Sequence, residues 1–138
     1  MLIGGFSQGG AAAIETALTY RQPLAGAVAI SAWMAHHADL PARAHAANLA
    51  LPLFFSCGTA DPIVTFPLAR RSGEKLRGLL GSDLCSVMHI QRATHPPKRA
   101  ELDAARTFMV KCLERGRGAP PRREETDTES EMVPSTYM

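Results

Sequence analysis

The stretch Gly5-Phe6-Ser7-Gln8-Gly9 constrains this chain more than any other part of its 138 residues. Its pattern is G-x-S-x-G, set between the short apolar run Leu2-Ile3 and an alanine-rich, proline-free segment from Gln8 to Tyr20. A strand that turns straight into a helix forces the residue at the turn into a strained backbone and lifts its side chain above the sheet. Strand and helix then approach too closely for a Cβ two positions either side, which is where Gly5 and Gly9 stand. The helix that follows aims its free N–H groups at Ser7, a suitable place for a developing oxyanion, with the Gln8 N–H as one donor. Without that context the segment is a glycine-rich turn with an incidental serine.

The rest of the chain supplies a sheet for such a turn. Leu24 to Ser31 and Leu51 to Cys57 are short apolar runs that read as buried strands, and Cys85 to Ile90 reads as another. Residues 66–80 carry helical periodicity, with Leu68, Leu76, Leu79 and Leu80 on the apolar side. Lys98 to Arg115 repeats it with Leu102, Ala105, Phe108, Met109, Cys112 and Leu113. Residues 32–50 hold His36, His37, Pro41 and His45 and predict a loop with at most a short helix. Strands alternating with helices indicate an α/β fold with a parallel sheet covered on both faces. From Gly116 the text turns to Gly, Pro, Arg and then acids, which cannot bury enough surface to offset chain entropy. Residues 1–115 are therefore expected as one α/β domain and 116–138 as a disordered tail.

Charge narrows the function classes. Lys and Arg number 15 against 13 Asp and Glu, a formal +2, too balanced to imply nucleic acid as a partner. Residues 1–113 hold 11 basic and 7 acidic side chains, and residues 114–138 hold 4 and 6. Cys57, Cys85 and Cys112 form no CxxC pair, so free thiols in a reducing compartment are expected. The opening residues offer no basic segment followed by a long apolar one, and Ala25 to Ala35 is too short to span a bilayer. These features read as a cytoplasmic protein. No carboxylate or cysteine stands at ligand spacing from His36, His37 or His45, so no metal is expected. Arg70, Arg71, Lys75 and Arg77 read as a solvated helix face, with at most transient contact at a membrane surface.

A nucleophilic serine needs a base, and the base needs an orienting carboxylate. In hydrolases with this elbow the order is Ser, then Asp or Glu, then His, each at the carboxyl end of a strand. Asp61 follows the Leu51–Cys57 run and His95 follows the run that ends at Ile90. Both fall where loops leave one edge of a parallel sheet, the edge at which ligands bind in open α/β folds. Taken singly, Asp61-Pro62 is a turn starter and His95-Pro96-Pro97 an exposed approach to a helix. Taken together with Ser7 they form a candidate triad. Trp33, just after the second run, is a candidate substrate contact, though core packing explains it equally well.

Gly4-Gly5-Phe6-Ser7-Gln8-Gly9-Gly10-Ala11 resembles the nucleophile segment of the acyl-protein thioesterase / carboxylesterase family (phospholipase/carboxylesterase type) of α/β-hydrolases. Gly26 to Trp33 is similar to the family's next strand, Gly58 to Val64 to its acid-bearing turn, and His95 to Phe108 to its last loop and helix. The chain departs from the family pattern at Cys57, where a His is usual, and at Arg92-Ala93-Thr94-His95-Pro96, which lacks the usual preceding Gly and following Ser.

The resemblance covers residues 2–113 and implies the C-terminal part of an α/β-hydrolase fold, about four parallel strands with flanking helices, the N-terminal strands being missing. Those absent elements include an early loop that supplies a second oxyanion N–H in the family. The resemblance also implies a serine esterase or thioesterase with Ser7, His95 and Asp61 as its triad and no cofactor. Acylated proteins, such as those palmitoylated on cysteine, or lipid esters such as lysophospholipids would be its substrates. The rival expectation is a catalytically impaired fragment that pairs with itself or another chain through the open Leu2–Phe6 strand edge. A third is that the acidic tail around Thr126, Thr128 and Ser130 docks a partner.

Overall fold

The computed structural model describes residues 1–117. Its elements, in order, are β1 (Leu2–Phe6), α1 (Gln8–Thr19), β2 (Gly26–Ile30), α2 (Leu40–Arg43), β3 (Leu53–Gly58), α3 (Phe66–Leu80), β4 (Cys85–Ile90) and α4 (Arg99–Arg117). A single 3-10 turn, Ala46–Asn48, precedes β3. The strands form one parallel sheet in the order β1-β2-β3-β4. Sequential order in a parallel sheet requires a crossover after each strand, which α1, α3 and the 31–52 connection provide. The fold is α/β as expected, with four strands and flanking helices. Residues 118–138, which hold most of the expected tail, lie outside the described residues.

Alternation along the strands builds two layers. Ile3, Ala27, Ala29, Leu53, Phe55, Cys57 and Cys85 face the larger core with Ile14, Leu18, Leu76 and Leu80 of α1 and α3. Leu2, Val28, Phe54 and Met88 point the opposite way, against Ala105, Phe108 and Met109 of α4. Small residues bring α1 close to the sheet, because a Cβ on Gly10 would lie 2.6 Å from the Ala32 Cβ and 2.9 Å from the Gly5 carbonyl oxygen.

Two helix faces differ from the periodicity expectation. In α3 the buried line is Ala69, Ser72, Gly73, Leu76 and Leu80, so Leu68 lies about 100° round the helix and is 41% exposed rather than in the core. In α4 the buried positions are Glu101, Ala105 and Cys112, which turns Leu102 and Leu113 outward, 44% and 47% exposed. The buried Glu101 reaches back to the residue before α4, its Oε2 accepting the Lys98 N–H at 3.1 Å, while its Oε1 has no hydrogen-bond partner among the described residues.

The 31–52 connection is held by a residue that the sequence does not advertise. Asn48 is buried, and its Oδ1 accepts the Leu24 N–H at 2.8 Å. Its Nδ2 donates to the Tyr20 and Gln22 carbonyls at 2.8 and 3.0 Å. One amide thereby ties the end of α1, the start of β2 and the segment leading to β3.

Candidate active site

Ser7 sits between β1 and α1 with φ 53 and ψ −122, a conformation L-residues rarely adopt. Its backbone is fixed at both ends: the N–H donates to the Ile30 carbonyl at 2.8 Å, and the carbonyl accepts the Ala11 N–H at 3.1 Å. A Cβ on Gly5 would run into the Gly9 carbonyl, so the close approach read from the sequence is present at Gly5. A Cβ on Gly9 would meet nothing within 4 Å, so the expected exclusion there does not hold: it is the Gly9 backbone, not the space around its Cα, that crowds the strand. Ser7 occupies the N-cap position of α1, yet its hydroxyl makes no capping bond and remains available for a partner above the sheet. Gln8 opens α1, so its N–H has no acceptor one turn back in the helix.

Asp61 and His95 arrive on loops that leave the carboxyl ends of β3 and β4. Asp61 is buried and divides its two oxygens. Oδ1 accepts the Ile63 and Val64 N–H groups at 2.8 and 3.0 Å, and Oδ2 lies 2.7 Å from His95 Nδ1. His95 Nε2 lies 2.9 Å from Ser7 Oγ. A carboxylate only accepts, so Nδ1 carries the imidazole proton, Nε2 presents its lone pair, and the Ser7 hydroxyl donates. The structure thus brings together Ser7, His95 and Asp61, with the Gln8 N–H beside them at the start of α1.

The two loops are bonded to each other as well as through these side chains. Thr59 N–H donates to the Ile90 carbonyl at 3.0 Å, Ala60 N–H to the Ala93 carbonyl at 3.0 Å, and Arg92 N–H to Thr59 Oγ1 at 2.8 Å. Arg92 takes a left-handed φ of 57 to make the turn. Phe6 covers the imidazole, its ring centroid 4.9 Å from that of His95 at an interplanar angle of 46°. In the sequence Phe6 counts only as part of the family-like segment Gly4–Ala11, and nothing there points to a contact with the imidazole.

Trp33 is half-buried and packs against the larger core, while Met34 lies inside it. Cys57, at the position where a His was expected from the family pattern, is buried under the acid loop. Burial, with the Glu101 and Asp61 carboxylates adding to it, pushes its thiol up to about 11. His36 Nδ1 lies 3.1 Å from Glu15 Oε2, and His45 Nδ1 accepts the Ala47 N–H. Among the described residues no group of three or more His, Cys, Asp or Glu side chains is arranged to hold a metal. Arg70, Arg71, Lys75 and Arg77 are all exposed, as read. No described helix is long and apolar enough to cross a membrane.

Residues 1–113 match the family model described as Phospholipase/Carboxylesterase. The chain belongs to this family. Among curated relatives, the acyl-protein thioesterase 1 of Debaryomyces hansenii is 33% identical over 115 residues, taking in 83% of this chain and 49% of that protein. That of Cryptococcus neoformans var. neoformans is 38% identical over 88 residues, 62% of this chain and 36% of the other. The match therefore spans half or less of the length of these phospholipase/carboxylesterase relatives. The fold agrees with solved α/β-hydrolase structures: Arabidopsis thaliana SOBER1 aligns with a TM-score of 0.74 at 23% identity, over 81% of this chain and 52% of that one. Zea mays acyl-protein thioesterase 2 aligns with a TM-score of 0.71 at 24% identity, over 80% and 55%. The four-stranded sheet and its helices are thus part of the α/β-hydrolase architecture.

Proposed function

We propose that this chain supplies the nucleophile, base and acid of a serine hydrolase that cleaves carboxylic esters and thioesters. The observation that carries the reading is the 2.9 Å separation of Ser7 Oγ from His95 Nε2, on an imidazole whose other nitrogen lies 2.7 Å from Asp61 Oδ2. Ser7 Oγ attacks the acyl carbonyl as its proton passes to His95 Nε2. Asp61 holds the imidazole in the required tautomer and stabilises its cation. The Gln8 N–H meets the oxyanion, a donor of a kind worth about 3–4 kcal/mol in the transition state. His95 then returns the proton to the departing alcohol or thiol, and water, deprotonated by the same imidazole, releases the acid from Ser7.

The likeness to acyl-protein thioesterases supports acyl thioesters on proteins as substrates, and membership of the phospholipase/carboxylesterase family supports lipid and simple carboxyl esters. Palmitoylated cysteines and lysophospholipids are the natural members of those classes. Trp33, half-buried beyond the end of β2, offers apolar surface to an acyl chain. Residues 1–115 are proposed as the hydrolase portion of the chain. A fluorophosphonate, which reports an activated serine, is the direct test: it labels the chain at Ser7 and does not label the Ser7→Ala variant. Equal labelling of both dismisses the assignment.

A second reading rests on β1, which stands at the end of the sheet order with its outer edge unpaired among the described residues. That edge, Leu2–Phe6, can take another strand, making the chain an interaction module that self-associates or pairs with a partner. Light scattering separates the two readings, since a monodisperse monomer counts against the second.

A further inference from the structure

We propose that Ser31 is a positioning residue for His95, acting through the backbone of the loop that carries the imidazole. The proposal rests on the reading of Ser7, His95 and Asp61 as a proton-transfer relay. Ser31 follows β2 at a left-handed φ of 48 and is buried, 1% exposed. Its N–H donates to the Ser56 carbonyl at 2.9 Å, which fixes the turn to β3. Its hydroxyl donates to the carbonyl oxygen of His95 at 2.9 Å, a contact across 64 positions of sequence.

That carbonyl is poorly placed to find another donor. It belongs to a His-Pro peptide bond, and Pro96 and Pro97 have no N–H to offer the loop. Among the described residues, the Ser31 bond is the single hydrogen bond made by the backbone of residues 94–97. The imidazole beyond it must meet two partners at once, Ser7 and Asp61, so a small rotation of the His95 backbone lengthens one contact or the other. A side chain held in a rarely populated backbone conformation, buried, and spent on one carbonyl is the pattern of a functional constraint rather than of packing.

The test reads the position of the imidazole without requiring turnover. In the full chain, the proton on His95 Nδ1 is expected as a low-field NMR resonance that disappears in Asp61→Ala. The variants are Ser31→Ala, which removes the hydroxyl, and Ser31→Gly, which removes it while relaxing the left-handed φ. Both are expected to broaden this resonance or to speed its exchange with water at least 10-fold, with the amide spectrum of the rest of the chain retained. Fluorophosphonate labelling is expected to slow about 10-fold in each, and adding Ser31→Gly to His95→Ala is expected to slow it no further than His95→Ala alone. Additive losses in that double variant, or an unchanged resonance in both single variants, overturn the proposal. Absence of the low-field proton from the parent chain instead overturns the Asp61–His95 pairing on which the proposed function stands.

Discussion

Gly58 passes so close to Ala93 that there is no room between them for a side chain: a Cβ there would meet the Ala93 carbonyl oxygen and lie 2.9 Å from that of Thr94. Gly58 ends the strand that leads to Asp61, and Ala93 lies two residues before His95. The glycine is what allows the acid loop and the histidine loop to touch backbone to backbone. Gly58→Ala is expected to push them apart, lowering stability by about 1–3 kcal/mol and slowing fluorophosphonate labelling more than the fall in stability explains. Urea unfolding and labelling rates on the same sample check both.

Asp61→Asn is expected to remove activity while leaving the fold nearly intact. The Ile63 and Val64 N–H groups will claim the amide oxygen, as they claim Oδ1 now. The amide nitrogen then faces His95 as a donor, so Nδ1 becomes an acceptor and Nε2 carries the proton. An imidazole in that tautomer cannot take the Ser7 proton, and a loss of about 10⁴ in kcat is expected. Hydrolysis of a short-chain p-nitrophenyl ester measures it, with the unfolding midpoint shifting by little.

Asn48→Ala separates stability from chemistry. It leaves the Leu24 N–H and the Tyr20 and Gln22 carbonyls without their partner. Stranding buried backbone groups costs about 1–3 kcal/mol each where water cannot reach them, and a total loss of about 2–4 kcal/mol in chemical denaturation is expected. The labelling rate of the folded fraction should equal that of the parent, and a matching collapse of the rate would refute this separation.

The buried thiols set an alkaline limit. Burial pushes Cys57 and Cys85 up to about 11 from the 9.0 of a free thiol, in Cys85 against the opposing pull of Arg77. Between pH 9 and 11 the unfolded chain releases these protons and the folded chain keeps them, so stability falls as pH rises through that window and is unaffected by them below it. Urea midpoints measured from pH 8 to 11 should decline, and less steeply in Cys57→Ala. At pH 8 neither thiol should react with a disulfide reagent until the chain unfolds.

What the text discloses unaided depends on how local the cause is. The span of β4, Cys85–Ile90, and that of α3, Phe66–Leu80, follow from periodicity and flanking turn residues, and both match the reading. Which face of a helix is inside follows less well. The leucines at 68, 102 and 113 look like core residues in a helical repeat, yet the inward line begins with the small residues Ala69, Ser72 and Gly73 in α3 and with Glu101 in α4. A helix lying close on a sheet selects for small side chains and satisfied donors, which periodicity does not measure. The order Ser7, Asp61, His95 was readable because strand ends in a parallel sheet share one edge, so three positions far apart in sequence fall into one region.

The sequence alone determined the alternation of strands and helices, the sharp turn at Ser7 and the membership of Asp61 and His95 in loops at the same edge, because each is set by neighbours a few residues away. Only the tertiary structure decided the distances between their atoms. It also decided that Ser31, Phe6 and Gly58 lie against the histidine and its loop and that Asn48 ties the 31–52 connection, because their partners lie on other strands and loops, and no pattern within a segment encodes which distant carbonyl, ring or backbone will be brought against it.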